Sequence, residues 1–422
     1  MIPVRIVSLL GREVLDSRGN PTVQAELRTA KGAFAAIAPA GASKGAYEAL
    51  ELRDNDPSRF IGRGVLNAVA NVNGVIAKAV SGKTFSDQRQ FDDLLLRLDS
   101  SPNKAKLGAN ATIACSIAFA KAAAAEEGVP LHAHIAASFG AKPLLPIPAM
   151  NLINGGLHAG NDLALQEFLL FPIAFHSFAD ALRAGVEVYH SLKEIIAKRH
   201  GRAATAVGDE GGFAPPLAKT TQALELLEIA IGEAGYSRKV GLGLDCAAST
   251  FFRQSRYFLE GKSYDSAGLL DWYASLIKEF KLISIEDPFE QNDFGAFAAA
   301  MARLKKVQIV GDDLTVTSKA RIERAIKAKA ANCLLLKPNQ IGTLSEALDA
   351  ARAALEGGWA VMPSHRSADS EDNFIADLAV GLGCGQLKAG APCRGERTAK
   401  YNRLLVIEEE LGRSARFAKW RV

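Results

Sequence analysis

The sequence is poor in the features that mark secreted, membrane-spanning or nucleic-acid-binding chains. Its five cysteines, Cys115, Cys246, Cys333, Cys384 and Cys393, form no CxxC pair and sit mostly in apolar runs. They read as buried free thiols of a cytosolic protein rather than as disulfides. No uninterrupted apolar stretch reaches membrane length, since the longest, around Ala111 to Ala120, is closed by Lys121. Arg5 and Arg12–Glu13 interrupt any apolar run near the start, so a signal peptide is not expected. Ser81-Gly-Lys-Thr84 is not a nucleotide-binding loop, because the required first glycine position holds Ala77 and the segment follows a helix. The excess of positive charge is only +4 over 422 residues and is scattered. Its one concentration, Arg413 to Arg421, reads as a solvated tail or a packed last strand rather than a nucleic-acid arm. Nothing is of low complexity, and no repeat is visible beyond a βα rhythm.

What is present is a chain that is 48% hydrophobic and 23% charged, enough for a large core and two domains. Its most informative stretch runs from Ile283 to Lys337. Three short apolar runs there end abruptly in charge: Glu286–Asp287, Asp312–Asp313 and Lys337. Helical stretches separate them, so the strands are parallel and buried, and a charge at the tip of such a strand needs partners or a metal. The rhythm continues to His365, which ends WAVMPSH, and Lys388, which ends GQLK; successive spacings are 26, 25, 28 and 23 residues. That is one βα unit per charged tip, as in a (β/α) barrel with its site at the C-terminal mouth of the strands. Upstream, GLGLDCAAS ends another strand at Asp245. Asp245, Glu286 and Asp312 are three hard oxygen donors, which suits Mg²⁺ or Mn²⁺ better than zinc.

The first domain is expected over 1–138 and the barrel over 139–422. The first opens with strands around Ile6 to Leu15 and Thr22 to Ala38, joined by the turn Ser17 to Pro21. Val65, Val69, Val72, Ile76 and Val80 fall at helical spacing, and Ala109 to Glu126 reads as a buried helix stopped by Gly128 and Pro130. PLLPIP, Pro143 to Pro148, leads into the barrel.

Three loops invite two readings each or carry chemistry outright. Gly41 to Gly45 either turns the chain or folds over a phosphate or metal. The loop Asn154-Gly-Gly-Leu-His158-Ala-Gly precedes a strand beginning near Leu163 that carries Gln166 and Glu167. In Val207 to Pro215, ahead of a helix from Lys219 to Gly235, Glu210 is either a surface turn residue or a general acid held where backbone approaches a ligand closely. His132, His134, His176, His190 and His200 lie in helix-like contexts without acidic partners at useful spacing and are taken as structural or surface residues.

The chain as a whole resembles the enolase (phosphopyruvate hydratase) family. The resemblance rests on GREVLDSRGNPTVQAEL, GASKGAYEALELRD, NGGLHAGNDLALQEF, VGDEGGFAPP, SIEDPFEQNDFGAF, VGDDLTVT, LLLKPNQIGT, SHRSADSEDNFIADL and GAPCRGERTAKYN, in order and almost end to end. It implies an N-terminal α+β domain capping a β2α2(βα)6 barrel, a refinement that spacing does not supply. It also implies a cytoplasmic homodimer or higher oligomer, acting in glycolysis and gluconeogenesis, that reversibly dehydrates 2-phospho-D-glycerate to phosphoenolpyruvate. Two Mg²⁺ per active site are implied, the first on Asp245, Glu286 and Asp312, the second arriving with substrate and engaging Ser43. The hard step is loss of a weakly acidic proton beside a carboxylate, which superfamily members manage with a Lys or His base and bound Mg²⁺. By resemblance Lys337 is that base, its pKa pushed down by Lys388 and the metal charge. Lys388 binds the substrate carboxylate, Glu210 protonates the departing hydroxyl with Glu167 beside it, and His158 and His365 close on the substrate. Gln166, Glu286 and Asp312 belong to the substrate-binding set, while Arg366 and Ser367 match phosphate ligands.

The sequence departs from the family pattern at four places. Lys44 stands where threonine is usual, Leu157 replaces a small polar residue, Thr250 replaces the glutamate of AASEFF, and SADSED stands for SGETED. These departures leave room for a related lyase acting on a phosphonate or other analogue of 2-phosphoglycerate. A non-catalytic structural or surface-binding protein is the third reading. Against it stands the joint presence of Glu210, Lys337, Lys388 and three metal carboxylates.

Overall fold

The computed structural model describes residues 2–41, 45–156 and 159–421. Ser43, Lys44, Leu157 and His158 lie outside the described residues.

An antiparallel meander opens the chain: β1 (Ser8–Leu15), β2 (Pro21–Thr29) and β3 (Gly32–Ile37) pair in sequence order. The single strand expected over Thr22 to Ala38 is therefore two, because Ala30 and Lys31 turn the chain and Gly32 follows at φ 140°. Against this sheet lies α1 (Ala109–Glu127), whose alanines let it be buried almost all round; Gly128, at φ 69°, ends it in the left-handed conformation that glycine adopts freely. The Val65 to Val80 pattern forms helical turns from Leu66 to Val80, with a π turn over Val72–Ile76 that buries Val72 and Ile76. The side chain of Asn73 grips Gly11 of β1, accepting from its N–H at 2.7 Å and donating to its C=O at 3.0 Å. A further helix, α2 (Leu131–Phe139), packs on the barrel.

The barrel is eight-stranded. After β4 (Ile147–Asn154) and β5 (Glu167–Pro172) come two helices, α3 (Phe178–His200) and α4 (Thr220–Glu233). Six strand–helix units follow. Their strands are β6 (Val240–Asp245), β7 (Ser284–Glu286), β8 (Gln308–Gly311), β9 (Cys333–Leu336), β10 (Ala360–Pro363) and β11 (Gln386–Lys388). Strand β5 alone runs antiparallel to its neighbours. Parallel bridges from Val361 to Gly385 and from Ser364 to Lys388 close the ring. This is the β2α2(βα)6 order, with the meander and α1 forming the amino-terminal cap.

Strand alternation sorts the core into two clusters. Ile147, Ala149, Leu169, Phe171, Val310, Leu335 and Met362 fill the lumen, while Phe168, Leu170, Ile309, Leu334 and Leu336 face the outer layer. The lumen is tight: a Cβ on Gly243 would sit 2.7 Å from the Phe171 ring. The C-terminal segment packs through its apolar residues while Arg413, Arg416, Lys419 and Arg421 stay exposed. Its Phe417 pairs with Leu145 and its Trp420 ring lies 5.2 Å from Phe171, closing the barrel floor.

Cap and barrel are stitched together by the segment where SADSED departs from the family pattern. Ala368 and Ala40 exchange backbone hydrogen bonds of 2.9 and 2.8 Å. Asp372 accepts from the Ile37 N–H at 3.1 Å and from Lys121 Nζ at 2.9 and 3.0 Å. Among the described residues no helix is long and apolar enough to cross a membrane.

Candidate active site

The reversed strand is what assembles the site. Because β5 runs against the others, its first residue lies at the mouth where they end. Glu167 therefore sits in register with Asp245, and Asp245 with Glu286. Three carboxylates from adjacent strands meet Lys388, from the end of β11 across the barrel. Its Nζ lies 2.9 Å from Asp245, 2.8 Å from Glu286 and 3.2 Å from Glu167. Gln166 Nε2 approaches Asp245 at 3.4 Å. All four charged groups are buried. Burial raises the pKa of Glu167 well above the carboxylate range, and the charge of Glu210 adds to it. Glu286 is raised likewise by burial and by Asp245. Lys388 is held well above the usual lysine value, the carboxylates outweighing burial.

Lys337 follows β9 and pairs with Asp312, which also accepts from Gln340 Nε2 at 2.9 Å. Burial would raise the Asp312 pKa, but Lys337 holds it below the usual value. Of the two influences expected to lower the Lys337 pKa, the structure carries Lys388. Burial, Arg366 and Lys388 do push it down, yet the charge of Asp312 outweighs them and the net direction is up.

Glu210 is buried, not a surface turn residue. Its loop is laid on β4 so closely that a Cβ on Gly212 would meet Asn154 Oδ1 at 2.7 Å, and Gly211 takes φ 85°. Asn151 Nδ2 donates to Glu210 at 3.0 Å, and His365 Nε2 lies 3.6 Å from Glu210 Oε2. On its other side His365 Nδ1 is 2.5 Å from Nη1 of the fully buried Arg397. Since Arg397 can only donate, Nδ1 accepts, and burial together with Arg397 keeps the imidazole neutral, its pKa well below the usual value. Arg397 also donates to the backbone carbonyls of Arg366, Ser367 and Asp209. Arg366 is not turned to solvent; Glu48 of the cap takes both ends of its fork at 3.0 and 3.1 Å. Together these groups line a narrow polar pocket at the mouth, among them Gln166, Glu167, Glu210, Asp245, Asp312, Lys337, His365, Arg366, Ser367 and Lys388.

The donor set fits a hard divalent cation. Every candidate ligand is a carboxylate oxygen, and Glu286 Oε2 is buried with no hydrogen-bond partner among the described residues. The acidic triple whose oxygens come within 4.8 Å of one another is Asp287, Asp312 and Asp313, rather than Asp245, Glu286 and Asp312. The reason is that Asp245 and Glu286 close on Lys388 and Asp312 on Lys337. Asp287, at φ 41°, is already committed to accepting from the backbone N–H groups of Asp312 and Asp313 at 3.0 and 2.7 Å. Asp313 is pushed up to about 7 by burial and the neighbouring Asp312.

Two histidines expected to lack acidic partners have them. His134 Nδ1 lies 2.8 Å from Glu127, and His132 lies 3.6 Å from Asp377. Both belong to the packing of α2, outside the mouth. Sequence reasoning missed Arg397, Asn151 and Glu48. Only Arg397 left a trace: with Lys400 and Tyr401 it spaces i, i+3, i+4 on the helix that follows β11, a polar face turned inward.

Comparison with protein families matches residues 6–135 to the enolase N-terminal domain and residues 142–422 to the enolase C-terminal TIM barrel domain. The chain belongs to the enolase family. Family members are lyases that typically use Mg²⁺, and the acid-rich mouth of this enolase-family barrel agrees with that. The N-terminal cap and the TIM barrel described above agree with those two domains.

Proposed function

We propose that this enolase-family protein reversibly dehydrates 2-phospho-D-glycerate to phosphoenolpyruvate, with two Mg²⁺ per site. The reading extends to a cytoplasmic homodimer or higher oligomer serving glycolysis and gluconeogenesis, divided at 138/139. The observation that carries it is that the buried ammonium of Lys388 and the half-buried one of Lys337 share one mouth with the buried Glu210.

The elimination needs a base at the carbon bearing the phosphate, an acid at the departing hydroxyl on the next carbon, and something to hold the extra charge between. Lys337 leaves β9 and the Glu210 loop lies on β4, three positions away around the ring, so the two groups approach a bound substrate from different sides. Lys337 takes the proton from C2. Lys388 faces the substrate carboxylate as negative charge builds there. Glu210 delivers a proton to the C3 hydroxyl, which leaves as water while the C2–C3 double bond forms. Glu167, raised by burial and by Glu210, supports that role, since one of two neighbouring buried carboxyls keeps a proton at neutral pH. Neutral His365 presents its Nε2 proton toward Glu210. Arg366 and Ser367 receive the phosphate. Ser43 and His158 are assigned to the second ion and to closure over the substrate. Asp245, Glu286 and Asp312 would hold a divalent cation, which would supply positive charge against the substrate carboxylate. Burial, Arg366 and Lys388 lower the Lys337 pKa, against Asp312 and Glu286, which raise it.

The test is the ultraviolet absorbance of phosphoenolpyruvate formed from 2-phosphoglycerate, with Mg²⁺ and with chelator, for the wild type and Lys337→Ala. Turnover that needs Mg²⁺ and disappears in the variant supports the proposal; a folded, Mg²⁺-loaded protein without turnover refutes it.

A further inference from the structure

Glu48 sits where the mechanism leaves no place for a carboxylate. It belongs to the cap, yet its side chain is only 8% exposed and lies against Arg366, itself 4% exposed, in a two-pronged pairing: Oε2 accepts from Nη1 at 3.0 Å and Oε1 from Nη2 at 3.1 Å. Both residues line the mouth. A carboxylate offers a guanidinium the same pair of anionic oxygens that a phosphate does, at nearly the same span. Glu48 is also fixed from behind, since Oε1 accepts from the Gly45 N–H at 2.9 Å and the Ala49 N–H donates to the Gln340 carbonyl at 2.8 Å. Asn339 Oδ1 accepts from Arg366 Nη1 at 3.2 Å while its Nδ2 donates to the Pro39 carbonyl at 3.1 Å, so the cap also holds the arginine's neighbour.

We propose that Glu48 is a built-in stand-in for the substrate phosphate, occupying the Arg366 fork until a phosphate displaces it. The proposal rests on the reading of Arg366 as a phosphate ligand. It makes Glu48 a positioning residue that sets phosphate affinity. In the resting protein the carboxylate satisfies a buried cation, whose desolvation would otherwise destabilise the fold. It also makes every incoming phosphate compete with a tethered anion. The competition discriminates by charge: a dianionic phosphate outbids a single carboxylate, whereas a substrate carrying only a carboxylate at that position gains nothing by exchange.

The experiment titrates inorganic phosphate into the wild type, Glu48→Gln and Arg366→Gln by calorimetry in chelator, with melting curves to establish folding. Glu48→Gln is expected to bind phosphate at least about tenfold more tightly, because an opposing charge has left the fork, and Arg366→Gln to lose binding. Unchanged or weaker binding by folded Glu48→Gln, with binding still lost in Arg366→Gln, overturns the stand-in alone. Binding indifferent to Arg366 overturns both this proposal and the phosphate role of Arg366. Should Glu48→Gln unfold, Glu48→Asp keeps the charge but shortens the reach; it is expected to bind phosphate between the two, and no tightening there overturns the proposal equally.

Discussion

Arg397 Nη1 donates to Nδ1 of His365 at 2.5 Å, and this contact decides the state of the histidine. With Nδ1 accepting, the proton of the neutral ring is on Nε2, which lies 3.6 Å from Glu210. A cation on one side and a carboxylate on the other pull in opposite directions. Burial, the largest influence, sides with the cation.

His365 is therefore expected to remain neutral well below its ordinary value of 6.5. The unfolded chain protonates it first, so the native state binds fewer protons once the pH falls below about 6.5. Stability then drops with falling pH, by up to ~1.4 kcal/mol per pH unit, until the folded pKa is reached. His365→Gln lacks that slope. Urea unfolding of both proteins between pH 7 and 5.5 measures it, and a constant difference between them would mean that His365 is not held neutral.

Lys388 and Glu167 make a contrasting pair. Lys388→Met strips the ammonium that contacts both Asp245 and Glu286 and should cost ~3–5 kcal/mol, as breaking a buried ion cluster does. Glu167 has its pKa raised well above the ordinary carboxylate value by burial and by Glu210, so the fold favours its protonated form more than the unfolded chain does. Glu167→Gln mimics the protonated acid and should leave stability unchanged or raise it, the gain growing as pH rises above about 4.5. Adding Mg²⁺ should recover part of the Lys388→Met loss, because the cation replaces the missing charge on the same carboxylates. Unfolding curves in chelator and in Mg²⁺ check all three; a Lys388→Met protein indifferent to Mg²⁺ would remove Asp245 and Glu286 from the ligand set.

The strand-tip groups were legible in the sequence because a buried apolar run that ends in charge is hard to explain otherwise. Asp245, Glu286, Asp312, Lys337 and Lys388 all reach one mouth. Reversal of Glu167–Pro172 was not legible from spacing, since an antiparallel strand has the same composition as its neighbours; the family resemblance supplied it. Asn151 and Glu48 stayed hidden because they act across 59 and 318 residues of chain, distances at which no local pattern survives, whereas Arg397 left only the spacing of its helix face. The downward push of Lys388 on Lys337 was legible, but the opposing pull of Asp312 was not, because it depends on which side chain Asp312 pairs with, and that is geometry rather than pattern.

The cap is held to the barrel through Asp372. Burial would raise the pKa of this carboxyl, but Lys121 and the Phe374 and Ile37 N–H groups keep it below 3.8. A depressed carboxylate stabilises the fold above the unfolded pKa, and that contribution is lost as the pH falls through the lower folded value. Asp372→Asn should cost ~3–5 kcal/mol at pH 7, since it leaves Lys121 beside the Ala35 carbonyl without its counter-charge. The difference from wild type should narrow below about pH 3.8. Hydrogen exchange at the Ile37 amide gives a local readout, and an unchanged rate in the variant would exclude the tether.

Gln340 sits one step behind the proposed base. Its Nε2 donates to Asp312 at 2.9 Å, its Oε1 accepts from Thr317 Oγ1 at 2.9 Å, and the same Oγ1 accepts from the backbone N–H of Lys337 at 3.0 Å. Val316 and Thr317, at φ 43° and 55°, hold left-handed conformations that β-branched residues rarely adopt, so the loop stores strain to keep this hydroxyl in place. Removing the amide frees Asp312 to rotate and Lys337 to follow it, while Gln340 itself is assigned no substrate contact. Gln340→Ala should therefore lower kcat by about 10- to 100-fold, the usual effect of losing an oriented partner behind a ligand, while KM changes little. Gln340→Glu should be worse, because a second carboxylate beside Asp312 strengthens the grip on the Lys337 proton and moves the alkaline rise of kcat to higher pH. Steady-state pH profiles of the two variants separate positioning from stability: equal losses in both, with an unmoved profile, would reduce Gln340 to packing.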